Sequence, residues 1–372
     1  MNQTIITENG FGLIGSEIVR RYTLINKNQA SVTLITWGAG IQSIKIPNKR
    51  GAIGDVILGW DDLQGYLDNR YIGRTIGRVT NRIFNGAVSI GDKQLSLSKN
   101  YENKHHLNGG FLAFDNVNWD SHVLDKQVVM SHLSRNGSEG YPGDMLIQVK
   151  YTWTDDNELQ IVIRATCTQP TPVDISNCYF LNLAGHGTGP EELEKHTVTI
   201  NADKLADIEY KEMIPTGKIY PVADTVFDLR IPKQMTKQVL RKACGGGFNH
   251  NFCVNCPSVC SYRFHARVSH AESGRYVEYY SNQPSLHFST GNHFPARNLI
   301  TGDTDESGEE KNNGLYGKGG ILYQKHGAFA ISPQNYPNSI SHNHFPSSIL
   351  FPGQVYYHEI ALKFGIINEN QF

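Results

Sequence analysis

The sequence predicts an all-β fold of antiparallel sheets with few short helices. Short runs of β-branched and aromatic residues recur along the chain and are separated by turn-forming residues. The 36 glycines and 15 prolines are spread between these runs, so turns are expected at close intervals. Apolar stripes at the 3.6-residue helical spacing are scarce. These three observations together indicate strands joined by tight turns.

Individual strands follow from the same patterns in chain order. Ser31 to Ile35 is a β-branched run that predicts a single strand. Val88 to Leu97 is interrupted by the turn dipeptide Gly91-Asp92, which predicts a hairpin. Met145 to Cys167 contains the turn sequence Asp155-Asp156-Asn157 and predicts a second, longer hairpin.

The remaining elements are one short helix and one long loop. Helical spacing is visible at Thr236 to Lys242. Gly302 to Gly320 is rich in Asp, Glu, Asn and Gly and predicts an exposed loop, whose acidic part, Asp303 to Glu310, has partner binding as its alternative role. No repeat, linker or composition shift divides the chain, so residues 1–372 are expected to form a single domain.

Charge and hydropathy exclude several classes of partner. The 34 basic and 35 acidic residues are dispersed, so the sequence shows no basic patch of the kind that binds nucleic acid or an anionic membrane. No apolar run reaches the ~18 residues of a membrane span. The start, Met1 to Thr4, lacks the basic and apolar regions of a secretory signal. We therefore expect an intracellular, cytoplasmic protein whose ligand is neutral.

The cysteines fit a reducing compartment, because a chain of this size needs no disulfides to build a core. Cys253, Cys256 and Cys260 form a CxxCxxxC cluster that raises the question of zinc. A zinc site usually needs a second spaced pair, and only Cys244 lies near. We therefore expect ordinary thiols, no metal and no cofactor.

A first indication of carbohydrate chemistry is the run from Gly77 to Ile83. Asn81 and Arg82 place an amide beside a guanidinium after a glycine turn, and this pair is able to bind several sugar hydroxyls. The alternative for Arg82 is a buried structural arginine paired with a carboxylate.

The order of many short motifs resembles the galactose mutarotase (aldose 1-epimerase) family over essentially the whole chain. The matching residues are Gly59-Trp60, Gly65-Tyr66-Leu67, Gly77 to Ile83, Leu107-Asn108-Gly109-Gly110, Phe114-Asp115, Gly140 to Asp144, Asn177 to Leu183, Ile214 to Gly217, Phe227 to Arg230, Asn251-Phe252, Gln283-Pro284, Thr290-Gly291-Asn292, Gln334-Asn335, Pro337 and Pro352-Gly353. The resemblance implies a galactose mutarotase-like β-supersandwich of antiparallel sheets whose concave face holds a hexose.

The resemblance also implies a reaction, the interconversion of α and β anomers by opening and reclosing the sugar ring. This reaction needs an acid for the ring oxygen and a base for the anomeric hydroxyl. In the family the acid is a histidine in an Asn-His-x-Tyr-Phe-Asn-Leu motif, and the base is a glutamate shortly before a Gln-Asn pair. A histidine in a Leu-His-Gly-Gly motif and an aspartate before His-Asn-Phe hold the substrate.

In this sequence all four positions carry residues that are neutral at pH 7. The acid position falls on Cys178, and the base position falls on Ser332. A serine hydroxyl does not accept protons near pH 7, and a thiol with a pKa of about 8.5 is a poor donor to a ring oxygen. The two assisting positions fall on Asn108 and Asn249.

Other positions of the family's sugar site are retained. Asn81, Arg82 and Gln283 match substrate-binding residues of the family, and Asn108 and Asn249 still exchange hydrogen bonds with hydroxyls. Substitute histidines are the alternative source of proton transfer. The candidates are His105, His106, His186, His342 and His344.

Three functions compete on this basis. The expectation is a mutarotase relative without activity that serves as a carbohydrate-binding or scaffolding component, with possible protein partners in a larger assembly. The second is an active aldose 1-epimerase that uses substituted acid and base groups. The third is a carbohydrate-binding module with a possible hexose ligand.

Overall fold

The computed structural model describes residues 4–256, 261–295 and 315–367, and these residues are mostly strands. The strands in chain order are β1 Ile5–Ile14, β2 Glu17–Ile25, β3 Ser31–Ile35, β4 Gly40–Pro47, β5 Ile53–Asp55, β6 Arg74–Ile76, β7 Arg82–Ile83, β8 Ala87–Ile90, β9 Lys93–Ser96, β10 His106–Leu107, β11 Asp120–Leu124, β12 Gln127–Ser134, β13 Met145–Trp153, β14 Glu158–Cys167, β15 Thr171–Pro172, β16 Ser176–Cys178, β17 His196–Ile200, β18 Ala202–Glu209, β19 Ile214–Pro221, β20 Lys233–Gln234, β21 Asn249–Val254, β22 Arg263–His270, β23 Arg275–Ser281, β24 Ser285–Ser289, β25 Leu315–Tyr316, β26 Leu322–Tyr323, β27 Ala330–Gln334, β28 Ile349–Leu350 and β29 Tyr356–Ile366. The α-helices are α1 Leu63–Asp68, α2 Pro190–Leu193 and α3 Lys237–Lys242.

Three larger antiparallel sheets organise the described residues, which also contain five two-stranded sheets. The first contains β1 to β5 in chain order. The largest has nine strands in the order β11-β12-β13-β14-β29-β23-β22-β17-β20. The third has the order β19-β18-β21-β24-β27. The all-β prediction is therefore confirmed.

One continuous core joins the three sheets. It contains Leu24 from the first sheet, Val149 and Ile161 from the nine-stranded sheet, and Phe252 and Phe288 from the third, all with 0% exposure. Because each strand alternates its side chains between two faces, burial of one face leaves the other free for polar residues. On the third sheet this second face carries the residues of interest.

The local elements anticipated from turn chemistry are present. β8 and β9 pair around Gly91 and Asp92, and β13 pairs with β14 along its full length. α3 begins after Thr236, whose hydroxyl accepts a hydrogen bond from the Val239 N–H. These elements could be predicted because the residues that specify each of them are adjacent in the sequence.

The loop expected at 302–320 lies largely outside the described residues, which resume at Leu315. Among residues 315–320, Lys318 is buried, although an exposed loop was expected there. The Lys318 side chain is buried, and its Nζ lies 2.7 Å from Asp55 Oδ2 and donates to the Gln42 carbonyl at 2.9 Å. This ion pair compensates for the burial of the ammonium group.

None of the helices in the described part of the chain has the length and apolarity needed to cross a bilayer.

Candidate sugar site

Three polar residues are aligned across the third sheet. Asn251 on β21 is opposite His287 on β24, and His287 is opposite Ser332 on β27. Their chain neighbours that enter the core are Phe252, Leu286 and Ile331. Since successive side chains of a strand point to opposite faces, the three polar residues share the face away from the core.

Cys178 extends this row on a fourth segment. Leu181 and Phe329 exchange two backbone hydrogen bonds of 2.7 and 2.9 Å. The Ser176 hydroxyl donates to the Pro333 carbonyl at 2.6 Å. The chain from 176 to 181 therefore runs antiparallel to β27, and this alignment places Cys178 level with Ser332. The two positions that resemble the acid and base are thus neighbours.

A second group of residues borders the row at β21. The Asn81 N–H donates to Asn108 Oδ1 at 2.8 Å, and the Asn108 N–H donates to the Asn81 carbonyl at 3.0 Å. Asn81 Nδ2 donates to Asn251 Oδ1 at 3.3 Å. Asn81 and Asn108 have φ of 69° and 50°, a left-handed backbone that asparagine tolerates better than most residues. The asparagines therefore both shape the backbone and present amides.

The two arginines of the Gly77 to Ile83 run have different roles. Arg78 is 1% exposed and donates to the backbone carbonyls of Ser134 and Gly143, each at 2.9 Å. Arg82 is half-buried, and its guanidinium carbon lies 4.6 Å from the centre of the Tyr101 ring. Arg78 is therefore a buried structural arginine, held by carbonyl groups and not by a carboxylate.

Asn249 links two imidazoles beside the row. His287 Nε2 lies 2.8 Å from Asn249 Oδ1 and donates to it, and Asn249 Nδ2 donates to His293 Nε2 at 3.2 Å. These hydrogen bonds assign the proton of the neutral His287 ring to Nε2. We call the following residues the polar cluster: Asn81, Arg82, Asn108, Cys178, Asn249, Asn251, His287 and Ser332.

The ionisable groups of the polar cluster are held neutral, apart from Arg82. Burial lowers the pKa of His287 to about 3, and the nearby Arg82 charge adds to this effect. Burial and then Arg82 also lower the pKa of His293. Burial, with a smaller contribution from the charge of Asp115, raises the pKa of the Cys178 thiol to about 12. Neither Cys178 nor His287 is poised to exchange a proton near pH 7.

The structure does not bring Gln283 into the polar cluster. Gln283 precedes β24, whereas Asn249 pairs with Ser289 at the opposite end of that strand. Four residues of extended chain, about 13 Å, separate Gln283 from His287, the residue of the polar cluster nearest to it along this stretch. The Gln283 carbonyl accepts from Arg263 at 2.8 Å, and the residue lines a separate cavity of about 550 Å³.

Three of the histidines considered as substitutes have structural partners instead. His105 Nδ1 accepts from the Asn85 N–H at 3.0 Å. His106 contacts the Ser98 carbonyl at 2.7 Å. His186 Nδ1 lies 3.1 Å from a tyrosine hydroxyl.

His344 is also engaged elsewhere, whereas His342 Nε2 is buried and has no hydrogen-bond partner among the described residues. His344 Nε2 donates to the Gly217 carbonyl at 2.8 Å, and the two rings lie 5.8 Å apart. The residue that sequence reasoning missed is His287. Its signal was the alternation of Ser285, His287 and Ser289 with apolar residues, which marks one polar face of a strand.

The cysteine cluster shows ordinary thiol contacts where it is described. Cys256 Sγ lies 3.1 Å from Ser261 Oγ, and Cys253 is 5% exposed. Cys260 lies outside the described residues.

One group of potential metal ligands, Glu192, His270 and Glu272, lies elsewhere. Lys195 Nζ contacts Glu192 and Glu272 at 2.6 and 2.8 Å, so an ammonium group already neutralises these carboxylates.

Comparison with known proteins gives consistent matches along the chain. The aldose 1-epimerase family profile matches residues 20–363. Galactose mutarotase of Mus musculus is 38% identical over 364 residues, which cover 97% of this chain and 99% of that protein. Galactose mutarotase of Rattus norvegicus is 37% identical with the same coverage. An aldose epimerase homologue from C. elegans superposes with a TM-score of 0.79 at 26% identity, covering 92% of this chain and 97% of that one.

Proposed function

This chain belongs to the aldose 1-epimerase family, and from that premise we propose that it binds a hexose at the polar cluster without accelerating anomer interconversion. The single observation that supports the proposal is the row of Asn251, His287, Ser332 and Cys178. Polar contacts for a sugar are retained along this row. The two positions of the row that match the family's acid and base, Cys178 and Ser332, carry groups that do not exchange protons near neutral pH.

Hexose binding is supported by unused hydrogen-bonding capacity. Asn251 Nδ2 and Arg82 Nε are buried and have no hydrogen-bond partner among the described residues. A buried donor without a partner costs about 1–3 kcal/mol. Sugar hydroxyls accept and donate hydrogen bonds and would satisfy both groups. Asn108 and Asn249 add amides at the edge of the same cluster.

Catalytic silence is supported by the chemistry of Cys178 and Ser332. Positioned proton transfer contributes ~10²–10⁴ in rate for each group. A thiol with a pKa of about 12 is a weak acid toward a ring oxygen. Ser332 is 6% exposed, and its hydroxyl carries no charge to accept a proton. Protonation of the ring oxygen and deprotonation of the anomeric hydroxyl therefore both lack a catalytic group.

An active aldose 1-epimerase is the second candidate, and one observation favours it. His287 stands opposite Ser332 on the neighbouring strand and is hydrogen-bonded to Asn249. It is the imidazole best placed to replace the missing base. Its lowered pKa argues against this role, because a base with a pKa of about 3 has little driving force for proton abstraction at pH 7.

Calorimetric titration with galactose and glucose tests the binding half of the proposal. We expect millimolar binding by the wild type and a loss of about tenfold or more in Arg82→Ala. Arg50→Ala removes an exposed arginine outside the polar cluster and should bind normally. Absence of heat with both sugars would reject hexose binding and leave a scaffolding role in a larger assembly as the better account.

Restoring the family acid and base tests the catalytic half. The double variant Cys178→His with Ser332→Glu should accelerate mutarotation in polarimetry by about 10² or more over the wild type. Cys244→His, at an exposed position, is the matched control and should remain at the wild-type rate. A folded double variant that stays at the buffer rate would show that more than these two groups has been lost.

A further inference from the structure

A separate cavity lies on the third sheet, further along β21 from the polar cluster. Cys253 follows Asn251 by two residues and therefore points to the same face, about 7 Å further along the strand. The cavity has a volume of about 640 Å³. Lys204, Cys253, Arg263, Tyr336, His344 and Phe345 are among its lining residues. This volume is within the ~300–1,000 Å³ typical of small-molecule sites.

The cavity carries two cationic side chains. Arg263 directs its terminal nitrogens to the carbonyls of Ser261 and Gln283 at 2.6 and 2.8 Å. Its buried Nε has no hydrogen-bond partner among the described residues. Lys204 is exposed on β18, opposite Cys253. Both residues line the cavity, so an anionic group there would be attracted by both charges and would gain a charge-assisted hydrogen bond from the Lys204 ammonium.

The charges at the cavity are not all of one sign. Asp203 also lines it and opposes an anion. The pKa of Cys253 is raised to about 11 by burial, while the charge of Lys204 lowers it and that of Asp203 raises it. With two positive side chains and one negative, Lys204, Arg263 and Asp203 still sum to a net positive charge. His344 is fixed by its hydrogen bond to the Gly217 carbonyl.

An aromatic pair forms another part of the cavity wall. The rings of Tyr336 and Phe345 are 4.7 Å apart with an angle of 17° between their planes. Both residues line the cavity, so a planar ligand has aromatic surface to pack against. Cations beside an aromatic wall suit a ligand that has an anionic group attached to a flat apolar ring.

We propose that this cavity binds small aromatic anions, with the ring packed against Tyr336 and Phe345 and the anionic group between Lys204 and Arg263. The site is distinct from the polar cluster, and the proposal does not require hexose binding. Aryl phosphates and aryl carboxylates share this chemistry. The two classes are separated by comparing 1-naphthyl phosphate with 1-naphthoate.

Calorimetric titration of the full chain with these two probes and with inorganic phosphate tests the proposal. We expect at least one naphthyl probe to bind, and Lys204→Gln to weaken it about tenfold. Lys218→Gln, at an exposed lysine of β19 outside the cavity lining, is the matched control and should bind like the wild type. Binding should also weaken as salt is added.

Phe345→Leu separates ring packing from charge attraction. This variant should weaken naphthyl binding while leaving any inorganic phosphate binding unchanged, since the cations are untouched. The thermal midpoint of each variant confirms that it is folded. The proposal fails if neither naphthyl probe binds at millimolar concentration, or if folded Lys204→Gln binds like the wild type. Equal weakening by Lys218→Gln would also overturn it by indicating nonspecific charge attraction.

Discussion

At the scale of single residues, Asn249 determines the environment of the His287 ring. Its amide oxygen accepts the hydrogen bond from His287 Nε2 at 2.8 Å without contributing a charge. The neutral imidazole is therefore retained, and burial keeps its pKa near 3. A carboxylate at the same position would favour the charged ring instead.

The variant Asn249→Asp tests this account of His287. An opposite charge within hydrogen-bond distance should raise the pKa of His287 by about one to three pH units. Histidine-labelled protein followed by NMR over pH provides the measurement, and His287→Gln assigns the signal. Asn103→Asp, at an exposed turn, should leave that signal unchanged. An identical His287 titration in wild type and Asn249→Asp would contradict the proposed contact.

Residue identities at the site were only partly accessible from the sequence. Motif order pointed to Asn81, Asn108 and Asn249, whose part in sugar binding stays a prediction; the structure links Asn81 to Asn108 and Asn251, and Asn249 to His287, by hydrogen bonds. It did not distinguish Gln283 from His287, because the two lie on the same short stretch of chain. Strand register shows that His287 lies opposite Asn251 and Ser332, whereas Gln283 precedes β24, about 13 Å of extended chain away.

At the scale of elements, the β8–β9 hairpin depends on Gly91. Ile90 pairs with Lys93, so Gly91 and Asp92 form a two-residue loop. Gly91 has φ of +57°, and a Cβ added there would meet no atom within 4 Å. The glycine is therefore required for backbone conformation and not for space.

Gly91→Ala should lower the free energy of unfolding by about 1–2 kcal/mol. Gly10→Ala is the matched control, since its added Cβ also meets nothing within 4 Å and its φ is not positive. Denaturant unfolding of both variants provides the measurement. If both variants were equally stable, the positive φ at position 91 would not be the reason that glycine is needed there.

Hairpins of this kind could be predicted because turn residues and strand alternation are adjacent in sequence. The row formed by Asn251, His287, Ser332 and Cys178 could not, because it joins segments up to 154 positions apart through register. The burial of Lys318 was missed for the same reason. Its compensating partner, Asp55, lies 263 positions away in the sequence.

At the scale of the whole molecule, buried neutral histidines couple stability to pH. His196, His265 and His358 are 0% exposed, and burial lowers their pKa values to about 3, 4 and 3. In the unfolded chain each would return to about 6.5. The unfolded state then binds more protons, so stability is full above pH 6.5 and falls as pH decreases toward the folded values.

The contribution of Asp174 to stability changes with pH in the opposite direction. Burial raises its pKa to about 7, so its contribution favours folding at lower pH and falls as pH rises from about 4 to 7. Three histidines outweigh one carboxyl, and a net loss of stability is expected between pH 7.5 and pH 5. His358→Gln should reduce this loss by about 2 kcal/mol, since pH 5 is 1.5 units below 6.5.

Urea unfolding at the two pH values measures this loss. His122→Gln removes an exposed histidine and should leave the pH dependence unchanged. An unchanged pH dependence in His358→Gln would show that His358 is not buried in its neutral form.

The central claim, a family member whose sugar site lacks proton transfer, is tested most directly by polarimetry of the wild-type protein with α-galactose and α-glucose. The account predicts mutarotation at the buffer rate for both sugars, because Cys178 and Ser332 occupy the acid and base positions. Acceleration above the buffer rate that is lost in Arg82→Ala and in His287→Gln would contradict it and establish a working epimerase with a relocated base.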